Sequence, residues 1–221
     1  MIKDYIKFPQ RKIKKSYRSV TGHFPSIKNN KSIGFESLLE KAYFLSLEFD
    51  NSVASYYEQP QIEIFFKNRY VIYSIDCHVI RAENSDLKDT LVEAKYVSDL
   101  EKHKEYFEQK FEATRVFANE HNLDFQLFTD ESLNQIYLDN LDFLYRYKLN
   151  PIENEYKKEI FTVLKEAKKL SAFELAQKIT TNPIKYSLVA NTIWTLVAKE
   201  KIKTDLESEK LTMNSLLEVA Q

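Results

Sequence analysis

Glycine and cysteine are nearly missing from this chain of 221 residues. There are two glycines, Gly22 and Gly34, so neither a GxGxxG nor a GxxxxGK[S/T] phosphate loop can be written, and a nucleotide hydrolase of that type is excluded. The single cysteine, Cys77, excludes an intramolecular disulfide. No window has a signal-peptide pattern or an uninterrupted apolar span of ~18 residues, which makes the cytoplasm the expected compartment. Proline occurs five times, and Pro60 and Pro151 fall where the hydrophobic pattern breaks.

What is present suits a packed protein. Apolar residues make up 43% of the chain and aromatics 14%, enough for a substantial core, while 29% charged residues are ordinary for a folded surface. The net charge of −1 hides an asymmetry. Residues 1–31 carry nine basic side chains (Lys3, Lys7, Arg11, Lys12, Lys14, Lys15, Arg18, Lys28 and Lys31) against Asp4 alone, leaving 23 basic and 32 acidic residues elsewhere. This stretch shows no sustained period, so it reads as an extended basic arm able to meet nucleic-acid backbone; the alternative is a solvated tail.

From residue 35 the pattern becomes helical: FESLLEKAYFLSLEFD places Phe35, Leu38, Leu39, Ala42, Tyr43 and Leu45 mostly on one wide face. Shorter β-branched and aromatic runs follow (VASYYEQP, IEIFFKN, YVIYSIDCHVI, DTLVEAKYV) and predict three or four strands, largely antiparallel. A long charged helix is expected over Asp99 to Asn122, a strand over Asp124 to Phe128, and a helix over Glu131 to Tyr147. A boundary near Asn150 and Pro151 separates this first domain, residues 32–150, from residues 151–221. The latter read as three helices, about 155–168, 171–180 and 185–200, ending in a small hairpin or a frayed tail. Their helix, turn, helix spacing suits a winged helix.

The residues with chemical potential centre on Leu91 to Asp99, LVEAKYVSD. Side chains alternate across a strand, so Glu93 and Lys95, two apart, project from one face. A carboxylate there can hold a hard divalent cation, and an ammonium beside it can orient water or neutralise charge on a phosphate. Taken alone, E-x-K is more often a surface salt bridge. Asp76 on the preceding apolar run and Glu40 on the helix before it supply the order Glu, Asp, Glu-x-Lys, which fits metal-assisted phosphodiester hydrolysis. Glu36, one turn before Glu40, is the alternative helix acid. His78 shares the Asp76 face, Cys77 points to the opposite, core side, and Gln59 with Pro60 is expected to fix the start of a strand.

The blocks SLLEKAYFLSLEFDNSV (37–53), EQP (58–60), the strand Asp76, LVEAK (91–95) and FTDESLNQIYLDNLDFLYRYK (128–148) together resemble the TnsA-like endonuclease family of transposons. The resemblance implies an α/β (α+β) fold with a restriction-endonuclease-like core, a mixed sheet flanked by helices, and a small winged-helix-like C-terminal domain. It further implies a catalytic set of Glu40, Asp76, Glu93 and Lys95, with Asp76, Glu93 and Glu40 holding Mg²⁺, for which Mn²⁺ could substitute. The implied substrate is double-stranded DNA at transposon ends, and the implied partners are a TnsB-like transposase and a TnsC-like ATPase regulator bound through the C-terminal domain. Ile75 and Cys77 stand where many relatives have Pro and Phe. Two other readings are compatible with the residues: a stand-alone restriction or repair endonuclease, and a non-catalytic winged-helix DNA-binding regulator.

Overall fold

A computed structural model describes residues 5–6, 20–152 and 155–220. The chain divides into two compact units, Met1–Leu133 and Asn134–Gln221.

The first unit begins with an antiparallel hairpin of β1 (Gly22–Ser26) and β2 (Lys31–Phe35), in which Phe24 lies opposite Ile33 and both are buried. An extended arm was expected here. Dense charge hid the alternation, yet Lys28 and Lys31 are used structurally: Lys28 Nζ donates to the carbonyls of Asp50 (2.6 Å) and Val53, and Lys31 pairs with Glu58 at 3.4 Å. The seven basic residues from Lys3 to Arg18 lie outside the described residues.

Helix α1 (Leu38–Phe49) follows, with the Ser37 hydroxyl accepting the Glu40 amide at 3.1 Å as its N-cap. Its last turn carries Glu48, which is buried and accepts from Ser26 Oγ (2.6 Å), Tyr56 Oη (2.8 Å) and the amides of Ile27 and Lys28 (both 3.2 Å). One carboxylate thereby ties hairpin, helix and sheet together. A buried charge is tolerable only when its lone pairs are satisfied, as they are here.

Strands β3 (Val53–Glu58), β4 (Gln61–Phe66), β5 (Arg69–Ser74), β6 (Cys77–Arg81) and β7 (Thr90–Ala94) come next, then α2 (Val97–Lys102), α3 (Lys104–Glu120) and β8 (Asp124–Phe128). The main sheet runs in the order β3-β6-β7-β8, antiparallel except for the parallel pair β7 and β8, whose crossover is supplied by α2 and α3. This is a mixed sheet flanked by helices. Strand β7 is buried along its whole length, which explains its nearly continuous apolar sequence and makes Glu93 within it conspicuous.

Two details depart from expectation. The run Tyr70 to Ile80 is not one strand: it breaks at Ile75 and Asp76, so β5 pairs only with β4 in a separate two-stranded ribbon while β6 enters the main sheet. The helix expected over Asp99 to Asn122 is interrupted at His103, which separates α2 from α3.

The second unit contains α4 (Gln135–Tyr145), α5 (Tyr156–Ala167), β9 (Leu170–Ser171), α6 (Ala172–Ile179), α7 (Pro183–Ala198), β10 (Ile202–Lys203) and β11 (Leu216–Val219). Its strands form an antiparallel sheet in the order β10-β11-β9. A Ser171/Glu174 capping box starts α6, and Asn182 followed by Pro183 starts α7, whose second half from Thr192 to Ala198 is fully buried. The sequence pattern placed α4 before the boundary. The structure puts it here because buried Asn140 donates to the carbonyls of Leu206 (2.9 Å) and Glu209 (2.8 Å) and accepts from Leu211 N (2.8 Å), fixing the loop between β10 and β11. No helix among the described residues is long and apolar enough to cross a membrane.

Replacing Glu48 with alanine leaves two hydroxyls and two amides unpaired in the interior. A loss of about 3 kcal/mol or more is expected, since each buried unsatisfied group costs roughly 1–3 kcal/mol. Urea unfolding measures it, and a variant within 1 kcal/mol of wild type would show that the hub is replaceable by water.

Candidate active site

The site is assembled at the break between β5 and β6 and at the adjoining end of β7. Asp76 is held there by its backbone: its carbonyl accepts from Gln59 N at 3.0 Å, and Ile75 N donates to the Pro60 carbonyl at 3.0 Å. Gln59 itself adopts a positive φ of 47°. The EQP segment thus clamps the peptide that presents the aspartate, in addition to ending β3.

On the neighbouring strand, the Lys95 amide donates to the Phe128 carbonyl at 3.0 Å, which continues the β7–β8 pairing one residue past β7. Glu93 and Lys95 therefore keep the same side, as their spacing predicts. The Lys95 ammonium lies 2.8 Å from Glu93 Oε1 and 3.0 Å from Asp76 Oδ2, and also donates to the Ala94 carbonyl at 3.1 Å. Asp76 Oδ2 accepts a second hydrogen bond from the Ala94 amide at 2.8 Å. Three predicted residues, Asp76, Glu93 and Lys95, are thus brought into one hydrogen-bonded cluster.

Glu93 is 2% exposed, and its second oxygen, Oε2, has no hydrogen-bond partner. Burial pushes its carboxyl up, the nearby Asp76 charge adds to this, and Lys95 offsets part of it. Burial would lower the Lys95 ammonium, but Asp76 and Glu93 outweigh it and hold the group above its usual range. Lys95 is therefore a fixed cation at neutral pH rather than a base.

The sequence reading missed Tyr73. Its buried hydroxyl lies within reach of the Glu93 carboxylate and stabilises the charged form of that group, while Lys110 Nζ sits 3.7 Å from its ring centroid. Burial, followed by the Glu93 charge, drives its phenol pKa up, so it stays neutral. Strand alternation gave no cue, because the break at Ile75 resets the faces.

Glu40 is placed differently from the others. Its carboxylate caps the start of its own helix, accepting from Ser37 Oγ (2.9 Å) and from Glu36 N (3.0 Å). It lies close enough to Asp76 and Lys95 to feel both charges, whereas Glu36 stands ahead of the helix and supplies a backbone amide. Burial, then the Asp76 charge, raise the Glu40 carboxyl to about 7. Among the described residues no three His, Cys, Asp or Glu side chains converge as a metal-binding group. Asp76 and Glu93 nevertheless fit a divalent ion: the two carboxylates meet at one ammonium, Glu93 Oε2 lies outside that ion pair, and ions of this kind are commonly held by one or two carboxylates with water and phosphate completing the shell.

His78 is buried within β6, paired opposite Tyr57 and Leu91. Cys77 is buried as expected of a core thiol, and burial holds that thiol well above its ordinary range, which removes it as a nucleophile.

A mixed sheet flanked by helices, with an aspartate at the start of one strand and a glutamate and lysine at the end of its neighbour, is the core of a restriction-endonuclease-like domain. Residues 50–130 match the family described as TnsA-like endonuclease N terminal, which supports a TnsA-like endonuclease in this part of the chain. The matched span contains Asp76, Glu93 and Lys95; α1 with Glu40 lies before it, and the second unit lies after it. No curated protein matches the chain.

The raised Glu40 carboxyl has a thermodynamic consequence. Between its ordinary pKa of 4.5 and about 7 the folded protein holds a proton that the unfolded chain has lost. Stability without divalent ions should therefore fall as pH rises through that window. Glu40→Gln should flatten this fall. Urea unfolding in chelator at pH 5 and pH 8 measures it, and an unchanged pH slope in the variant would assign the loss to other groups.

Proposed function

We propose that this protein is the metal-dependent DNA endonuclease subunit of a heteromeric cut-and-paste transposase, hydrolysing phosphodiester bonds at the 5′ ends of the mobile element. The observation that carries this reading is the Asp76, Glu93 and Lys95 cluster within the TnsA-like span, where two carboxylates share one ammonium in a largely buried site. A purely structural ion pair gains nothing from a second carboxylate, whose excess negative charge in a largely buried site costs free energy until something positive meets it. This disfavours a non-catalytic scaffold.

In this reading Asp76 and Glu93 hold Mg²⁺, with Mn²⁺ able to replace it. The ion, when bound, supplies Lewis-acid charge to the scissile phosphate and to the attacking and leaving oxygens. Asp76 is kept in place by the Gln59 and Ala94 amides and so presents its carboxylate without reorganising. Lys95, fixed as a cation, orients the nucleophilic water and balances charge on the phosphate. Glu40 completes the acidic site from the helix side, and its raised pKa lets it hold or release a proton near neutrality.

After α4, the second unit supports a winged-helix reading through its order of helix (α5), strand (β9), two helices (α6 and α7) and two strands (β10 and β11), with a long loop between β10 and β11. Its chemistry favours protein over DNA. Ile184 and Leu188 are exposed one turn apart on α7, and the β10–β11 loop carries Asp205, Glu207 and Glu209. A TnsC-like ATPase regulator is the partner assigned to this unit, with a TnsB-like transposase acting on the opposite strand ends. The basic segment before residue 20 adds sequence-independent affinity for DNA.

Asp76→Ala should abolish Mg²⁺- or Mn²⁺-dependent cleavage of a transposon-end duplex in the reconstituted assembly while leaving the fold intact. Lys95→Ala should retain ion binding yet slow single-turnover cleavage by about 10²-fold or more, the scale for losing one preorganised charge stabiliser. Calorimetric ion titration and cleavage on the same preparations check both. Undiminished cleavage by Asp76→Ala sinks the nuclease assignment.

A further inference from the structure

Helices α2 and α3 carry four lysines and arginines, and three of them are ion-paired within their own helix: Lys102 with Asp99 (3.9 Å), Lys104 with Glu108 (3.8 Å) and Arg115 with Glu112 (3.3 Å). Lys110 is the exception. Helical spacing sets it between Tyr106 and Phe107 one turn before and Ala113 and buried Thr114 one turn after, and the residue is half-buried there. Among the described residues no carboxylate lies within ion-pair distance of it. Its neighbours are rings instead, the Tyr73 centroid at 3.7 Å and the Tyr106 centroid at 5.5 Å. Lys67, at the turn between β4 and β5, is engaged in the same way, 5.3 Å from the Tyr106 centroid and 5.4 Å from that of Phe66. Cations and rings thus alternate in the order Lys67, Tyr106, Lys110, Tyr73, and the row ends at the hydroxyl that reaches the Glu93 carboxylate.

We propose that Lys110 is a substrate-binding residue of the nuclease site, holding the phosphate next to the cleaved one on the same strand, with Tyr73 as the positioning residue between it and Glu93. The assignment deepens the nuclease reading and rests on it. Charge selects the ligand. A cation drawn partly out of water without a carboxylate costs free energy that a ring face returns only in part. Two such cations around Tyr106 also repel each other, so the free chain keeps an unspent positive charge where a polyanion can meet it. The acids of α3 nearest in sequence do not compete, because Glu108 and Glu112 are ion-paired and Glu105 accepts from Gln109 at 3.4 Å. Geometry agrees: one tyrosine side chain separates Lys110 from Glu93, about the reach from one phosphate of a strand to the next. A ring takes no hydrogen-bond acceptor's place, which leaves N–H donors of the ammonium free for phosphate oxygens.

The test is single-turnover cleavage of a transposon-end duplex by the reconstituted assembly. In the substrates one phosphate at a time, on either side of the cleaved bond, is replaced by an uncharged methylphosphonate. Lys110→Gln should slow cleavage of the unmodified duplex by about tenfold, the scale of one charge-assisted contact. One methylphosphonate should slow wild type by a similar factor and slow Lys110→Gln no further, since both changes remove the same charge pair. Thermal melts of Lys110→Gln should match wild type. A lysine that only braces α3 against Tyr73 gives a different pattern, in which the two effects multiply at every position, and that result overturns the proposal. So does wild-type cleavage indifferent to neutralised flanking phosphates, or Lys110→Gln cleaving at the wild-type rate, in each case with Asp76→Ala inactive and the nuclease reading intact. Cleavage that survives Asp76→Ala, or an assembly that cleaves with neither Mg²⁺ nor Mn²⁺, overturns the nuclease reading and the Lys110 assignment with it.

Discussion

The contact on which the site depends is the Lys95 ammonium shared between Asp76 and Glu93. Two carboxylates this close, one of them almost wholly buried, repel each other and each lose hydration. The ammonium makes the pair tolerable in the isolated chain, and the Ala94 amide takes part of the remaining charge. The same contact carries the β6–β7 association past the point where their ladder stops, at Cys77 opposite Val92. Charge balance and chain geometry are therefore solved by one side chain, and a divalent ion entering beside Glu93 would join an existing balance rather than create one.

Much of this was legible because strand periodicity is local. Glu93 and Lys95 could be placed on one side from spacing alone, and the parallel strand at Asp124 to Phe128 from its composition. The break at Ile75 was not legible. Tyr70 to Ile80 is apolar and β-branched throughout, and only the pairing of Gln59 and Pro60 with residues 75 and 76 divides it, which is a contact between separate segments. Tyr73 was missed for the same reason, and the β1–β2 hairpin was hidden because its lysines look like a solvated arm until their partners, the Asp50 and Val53 carbonyls and Glu58, are known.

Glu40 stands near the cluster while its own oxygens are engaged elsewhere. Helical spacing stacks it with Glu36 on one side, from which either could reach a neighbouring strand, and in the structure it senses Asp76 and Lys95. Its oxygens, however, are spent on Ser37 and the Glu36 amide, an N-terminal capping arrangement that helix starts favour strongly. The acid is thus shared between a local structural task and the site. The α4 helix was likewise recognised as a helix but assigned by proximity in sequence, whereas Asn140 commits it to the loop between β10 and β11.

Scarcity of glycine shapes the surface as well as the function classes it excludes. Among the described residues, every backbone position with positive φ is filled by a residue bearing a side chain: Asn30, Gln59, Lys67, Asn68, Asn122, Lys168 and Glu200. Such positions carry a conformational cost that glycine would avoid. A glycine turn offers only bare peptide to whatever approaches, whereas these turns each end in an amide, an ammonium or a carboxylate. At Gln59 the unusual backbone is spent on aiming an N–H at the Asp76 carbonyl, and at Lys67 the turn residue lays its ammonium over the Phe66 and Tyr106 rings. The chain's tightest bends are thereby also its most chemically furnished points.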